Sequence, residues 1–242
     1  MPPPAGSPYF QTTRWSLVQR ATGSDETAGR EALAALCESY WYPIYAYIRR
    51  SGQAPHDAED LTQGFFAWLL ERGALAKADV GKGKLRTFLL TCAQRFLSDA
   101  RDRAAAQKRG GGRLKTFDPT RAEERYAAEA RDDLSPDRLF QRRWALTILD
   151  QGLALLRAEY EADGKAELFA ALRPFLGFGA DPEKRYDEVS KALGHAVATL
   201  KSHVFRLRKR WRELIFAEVS ETLANATDGE IRDELGELLG CV

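Results

Sequence analysis

Residues 186–214 read YDEVSKALGHAVATLKSHVFRLRKRWREL. Tyr186, Val189 and Leu193 fall at helical spacing, and Gly194 supplies the left-handed backbone that a tight turn between helices needs. Beyond it Leu200, Val204, Leu207, Trp211 and Leu214 recur every three or four residues, the mark of one buried helix face. The other face carries Thr199, Lys201, Ser202, Phe205, Arg206, Lys209 and Arg212. From Lys201 to Arg212 there are six basic residues and no acid. A short helix, a glycine turn and a longer basic helix predict a helix-turn-helix whose second helix enters a DNA major groove. Lys201, Ser202, Phe205 and Arg206 are expected at the bases, and Arg210 and Arg212 at phosphates. The competing reading is a basic, solvated helix over a core.

Working outward, the formal net charge of the 242 residues is only +1, so nucleic-acid binding has to follow from how charge is distributed. It is uneven: residues 213–242 hold eight acids against one arginine, directly after the basic helix. Residues 93–115 hold seven Lys or Arg against two acids. No run approaches the roughly eighteen apolar residues of a membrane span, and the Pro-rich start lacks the order of a signal peptide. Cys37, Cys92 and Cys241 lie far apart and read as reduced thiols of a cytoplasmic protein, with no disulfide or zinc pattern.

The N-terminal residues 1–12 are expected to be disordered, and Thr12 or Thr13 to cap a short helix. A helix over 27–42 is expected to break at Pro43 and resume through Arg50. Its aromatics Tyr40, Trp41, Tyr42, Tyr45 and Tyr47 suit either a base-stacking platform or a core, with core favoured. Residues 55–72, PHDAEDLTQGFFAWLLER, form a helix with Leu61, Phe65, Trp68 and Leu69 inward. Its acids Asp57, Glu59 and Asp60 suit the positive end of a helix dipole. A catalytic or metal-binding role would need a partner base, and only His56 is near. The loop DVGKGK (79–84) is no Walker motif. Leu85, Phe88, Leu89, Cys92 and Phe96 mark the next helix. Gly110, Gly111 and Gly112 end it and open a polar linker, 110–134. Ser135 and Pro136 start a second domain as N-cap and first helical residue. Trp144, Leu149, Leu153, Leu156 and Tyr160 mark its long helix, and 166–176 another. Thr227 and Asp228 are placed to cap a last acidic helix with Ile231, Leu235 and Leu238, which is either a lid or a solvated tail.

Tyr186-Asp187-Glu188-Val189, Leu193-Gly194 and Thr199-Leu200-Lys201-Ser202 together resemble the promoter-reading C-terminal domain of bacterial RNA polymerase sigma factors of the extracytoplasmic-function group, in the sigma-70 superfamily. Asp57-Ala58-Glu59-Asp60-Leu61-Thr62-Gln63 matches the segment by which these factors hold the clamp helices of the polymerase largest subunit. The run 10–21, FQTTRWSLVQRA, resembles the N-terminus of one subgroup. The resemblance implies that Asp57, Glu59, Asp60 and Gln63 bind core polymerase. It assigns Lys84, Arg86, Arg95, Asp99, Arg101 and Arg103 to the start-proximal (-10) promoter element, and Thr199, Lys201, Ser202, Phe205, Arg206 and Lys209 to the upstream (-35) element. Arg95 stands where the family has an Asn that helps hold a flipped-out base, so that base preference does not carry over.

The expected architecture is all-α: a core- and DNA-binding domain over 13–109, the linker 110–134, a helix-turn-helix domain over 135–220 and an acidic extension over 221–242. The expected function is that of a sigma factor, not an enzyme, with no cofactor or metal. Its partners would be core polymerase, including its flap, promoter DNA, and an anti-sigma factor or other regulator, without a membrane. The rivals are a helix-turn-helix regulator acting on duplex DNA without polymerase, and a metal-dependent DNA-processing enzyme built on Asp57, Glu59 and Asp60.

Overall fold

The computed structural model describes residue 18 and residues 26–71, 84–106, 119–129, 134–176, 182–223 and 225–241. Every regular element among these is helical, as the periodicity implies, and no strand occurs among them. The expected disordered start, most of the short helix after it, nearly all of the 79–84 loop and the glycines at 110–112 lie outside the described residues. No described helix is long and apolar enough to cross a membrane.

Two compact units account for the chain: Met1–Thr147 with Ser220–Val242, and Ile148–Val219. The first holds α1 (Glu26–Arg50), α2 (Pro55–Glu71), α3 (Leu85–Ala106), α4 (Pro119–Glu129), the start of α5 (Pro136–Ala162) and α9 (Asp228–Leu239). The second holds the rest of α5, α6 (Ala166–Leu172), a 3-10 turn (Arg173–Leu176), α7 (Pro182–Leu193) and nearly all of α8 (Val197–Ser220).

In the first unit α1 runs unbroken through Pro43, where the sequence predicts a break. An internal proline costs a helix about 3 kcal/mol. The flanking Tyr40, Ile44, Tyr45 and Ile48 are fully buried, and each such side chain returns about 1.5–3 kcal/mol, so packing prevails over the local penalty. Tyr40 stacks on Trp144 with centroids 4.1 Å apart, Trp41 on Tyr45 at 5.0 Å, and Tyr47 meets Phe140 edge-on at 6.4 Å. These aromatics are core, not a platform for bases. Phe65 of α2 and Phe96 of α3 pack edge to face at 5.9 Å. Leu69 is buried as expected, while Leu61 and Trp68 are half-buried and Phe66 joins the core. All three cysteines are free, and burial pushes Cys92 up to about 11 and Cys37 to about 12.

The stretch expected to be a polar linker contains α4. Ala122 and Tyr126, one turn apart, are buried, and Arg49 of α1 forks onto Glu123 at 2.7 and 2.9 Å. The Tyr45 hydroxyl also donates to Glu123, and Arg49 lies over the Tyr126 ring at 4.8 Å. Ser135 caps α5, accepting from the Arg138 amide at 3.4 Å, as read from sequence.

The choice between lid and tail for the acidic extension is answered by α9. Thr227 and Glu230 form a reciprocal capping box, Ile231 and Leu238 are buried, and the Leu85 amide donates to the Thr222 carbonyl at 3.1 Å. The extension therefore packs on the first unit.

The second unit closes around Leu156, Phe169, Leu172, Phe175, Leu200, Val204, Leu207 and Leu214. The helix expected over 166–176 tightens into the 3-10 turn at Pro174, whose nitrogen has no proton to donate. Gly152 lets α5 approach α8: a Cβ there would stand 3.0 Å from Ile215 Cγ1.

Candidate nucleic-acid interface

α7 and α8 are joined at Gly194, whose φ of +66° lies in the left-handed region where a side chain is strained. The Ser190 hydroxyl donates to the His195 carbonyl at 2.7 Å and fastens the turn. Tyr186 of α7 is buried and stacks on Phe175 at 4.4 Å, while Lys201 of α8 sits 5.7 Å from its ring. The apolar side of α8 is thus committed to the core, and this fixes which side faces out.

The outward side gathers Thr199, Lys201, Ser202, Phe205 and Arg206 into one shallow, open depression. Phe205 is 64% exposed, one of two large apolar side chains left in solvent among the described residues. Arg206 is exposed and its guanidinium lies 3.2 Å from His203 Nδ1. Burial, then the charges of Arg206 and His195, hold His203 below the ordinary imidazole range. Lys209 is exposed and reaches Glu213 only at 4.0 Å.

The arginines in the middle of α8 are engaged. Arg210 forks onto Glu159 of α5 at 2.6 and 2.9 Å and meets Glu213 at 3.1 Å; the hydrogen bonds to Glu159 drive its pKa upward against burial. Arg208 donates twice to the Phe175 carbonyl, and Arg212 to the Arg208 carbonyl. The expected phosphate contact at Arg210 therefore meets a side chain already engaged within its own unit.

In the first unit the basic residues of α3 divide into two groups. Arg95, Asp99 and Arg101 are exposed, and Arg101 donates to the Ser51 carbonyl at 3.3 Å. Arg103 lies on the last turns of α3, and its side chain is outside the described residues. Lys84 and Arg86, at the start of α3, instead meet α9. Arg86 forks onto Glu234 at 2.5 and 2.8 Å and reaches Glu237 at 2.6 Å, and it also donates to Gln141. Lys84 lies 2.6 Å from Glu234 and 2.7 Å from Glu237. Burial opposes the charge on Lys84 and Arg86, but the hydrogen bonds they donate to both carboxylates outweigh it and raise both pKa values. The hydrogen bond from Lys84 holds Glu237 below the ordinary carboxylate range.

These two acids went unremarked in the sequence. The signal was present: Glu234 lies three residues from Ile231 and four from Leu238, on the buried stripe of α9. An acid on an apolar stripe needs a cation beneath it.

The acids of α2 face solvent. Asp57 and Asp60 are exposed and Glu59 is half-buried. His56 Nδ1 lies 3.4 Å from Asp60, and Gln63 donates to Glu59 at 3.2 Å. Asp57 alone lies in the first turn, so the helix dipole accounts for one acid of the three. Among the described residues no group of His, Cys, Asp and Glu is arranged to hold a metal ion.

Comparison with protein-family models, with curated proteins and with solved structures finds no match for this chain.

Proposed function

We propose that the protein is a sigma factor of the extracytoplasmic-function type, with two promoter-reading domains joined by a linker segment. It brings core RNA polymerase to promoters and assists in opening the duplex. The bond-making chemistry belongs to the polymerase. The observation that carries the reading is the outer side of α8, where Lys201, Ser202, Phe205 and Arg206 stand together in solvent while the other side is locked in a core. With α7 and the turn at Gly194 it has the order of a helix-turn-helix, and its projecting groups suit guanine, phosphate and thymine methyl. The acidic side of α2 supports the same reading, since three carboxylates near a helix start, only one of them in the first turn, suit a basic partner surface. Arg101 and Arg95 on α3 would then follow the displaced strand.

Run-off transcription tests this. Core enzyme with the protein should yield promoter-specific transcripts, where core alone does not. A well-folded Glu59→Ala/Asp60→Ala variant should lose capture of core by the equivalent of about 2–5 kcal/mol, the penalty for truncating one side of a partly buried charge pair. Capture at wild-type level, or promoter-specific DNA binding with no response from core, would favour a regulator that acts without polymerase.

A further inference from the structure

The contact between α9 and the start of α3 has the make-up of a competition. Resting on the reading above, we propose that α9 is a built-in competitor of DNA, its Glu234 and Glu237 carboxylates taking the place of nucleic-acid phosphates on Lys84 and Arg86. Lys84 and Arg86 sit at the N-terminal end of α3, where the helix dipole already concentrates positive potential. Two cations there call for an anion, and α9 delivers two. The Arg86 fork takes Glu234 through Nε and Nη2, the two-pronged geometry a guanidinium also offers a phosphate.

The cluster is half open. Glu234 and Arg86 are buried, whereas Lys84 is 34% and Glu237 58% exposed, so an incoming phosphate has an edge to begin from. Among the described residues, the carboxylates that meet Lys84 and Arg86 are Glu234 and Glu237 of α9, and the neutral Gln141 also accepts from Arg86. A buried ion pair adds little net stability, because desolvation offsets most of the attraction, so exchange of carboxylate for phosphate is nearly even in electrostatics, and the cost of releasing α9 is set by re-exposing Ile231 and Leu238. α9 is a twelve-residue helix and the last element among the described residues.

Binding of fluorescein-labelled dT20 by the full chain, measured by anisotropy between roughly 50 and 200 mM KCl, is the test. Glu234→Gln/Glu237→Gln should bind more tightly than wild type at each salt concentration, because it has no carboxylates of its own to displace from Lys84 and Arg86. Equal affinity in a folded variant, or no binding by either protein, overturns the proposal. Because Glu234 is buried, Glu237→Gln alone provides a second variant, with a smaller change of the same sign expected. On wild type, amide hydrogen exchange should show α9 losing protection when dT20 saturates the chain; undiminished protection overturns the proposal. Capture of core polymerase by wild type reports on the sigma-factor reading separately. Core capture with unchanged dT20 affinity in the variant rejects the competition alone, and tighter dT20 binding by the variant without core capture supports the competition and rejects the reading.

Discussion

Arg206 and Arg210 lie four residues apart on α8 and have opposite surroundings. Arg206 is exposed beside Phe205, and Arg210 is clamped by Glu159 and Glu213. Arg206→Ala should therefore relax sequence preference by the 1–3 kcal/mol, roughly, of a bidentate contact to guanine. Arg210→Ala should leave the salt slope of DNA binding unchanged and cost the fold at most about 1 kcal/mol, because the ion pair is about 40% exposed on both sides and solvent screens it. Competition anisotropy with variant duplexes and urea unfolding separate the two. A lowered salt slope in Arg210→Ala would return that side chain to the phosphates. The sequence showed six cations on one helix but not which of them had partners. Glu159 lies 51 residues from Arg210, and no spacing rule reaches that far.

At the scale of the element, α4 and α9 show what local pattern conveys and what it hides. α2, α3, α7 and α8 and most of their apolar positions were legible because each carries its own periodicity, whereas Phe66 of α2, the start of α7 at Pro182 and the end of α8 at Ser220 were not. α4 was not, since among its described side chains Ala122 and Tyr126 are the buried ones and the stretch reads as a polar connection. Its helicity comes from docking, through Glu123 on Arg49 and Tyr45. Glu123→Ala should leave Arg49 half-buried without its carboxylate and cost about 1–3 kcal/mol. Limited proteolysis should then cut within 119–129 faster than in wild type, while α2 and α3 stay protected. Equal cutting rates would show that Tyr126 and Ala122 hold the helix without the ion pair. For α9 the cap and the apolar positions were readable in advance, but its docking face was not, because that depends on Lys84 and Arg86 some 150 residues earlier.

For the molecule as a whole, a net charge of +1 conceals large opposing segments, and they are joined by carboxylate contacts between distant parts of the chain. Glu123 meets Arg49 across 74 residues, and Glu237 meets Arg86 across 151. Hydrogen bonds from Arg49 and from Lys84, respectively, hold Glu123 and Glu237 below the ordinary carboxylate value of 4.5. Between those folded values and 4.5 the unfolded chain binds more protons than the folded one, so stability rises with pH across that window. The contribution is fully present above 4.5 and is lost as pH falls through the folded values. Urea midpoints followed by far-ultraviolet circular dichroism should be level just above that range and drop steadily below it. In Glu123→Gln/Glu237→Gln the neutral-pH midpoint should be lower and the acid limb shallower, because those carboxylates no longer take up protons on unfolding. An acid limb of unchanged steepness in the double variant would assign the acid sensitivity to other carboxylates. It would also remove these two contacts from the account of what joins the segments.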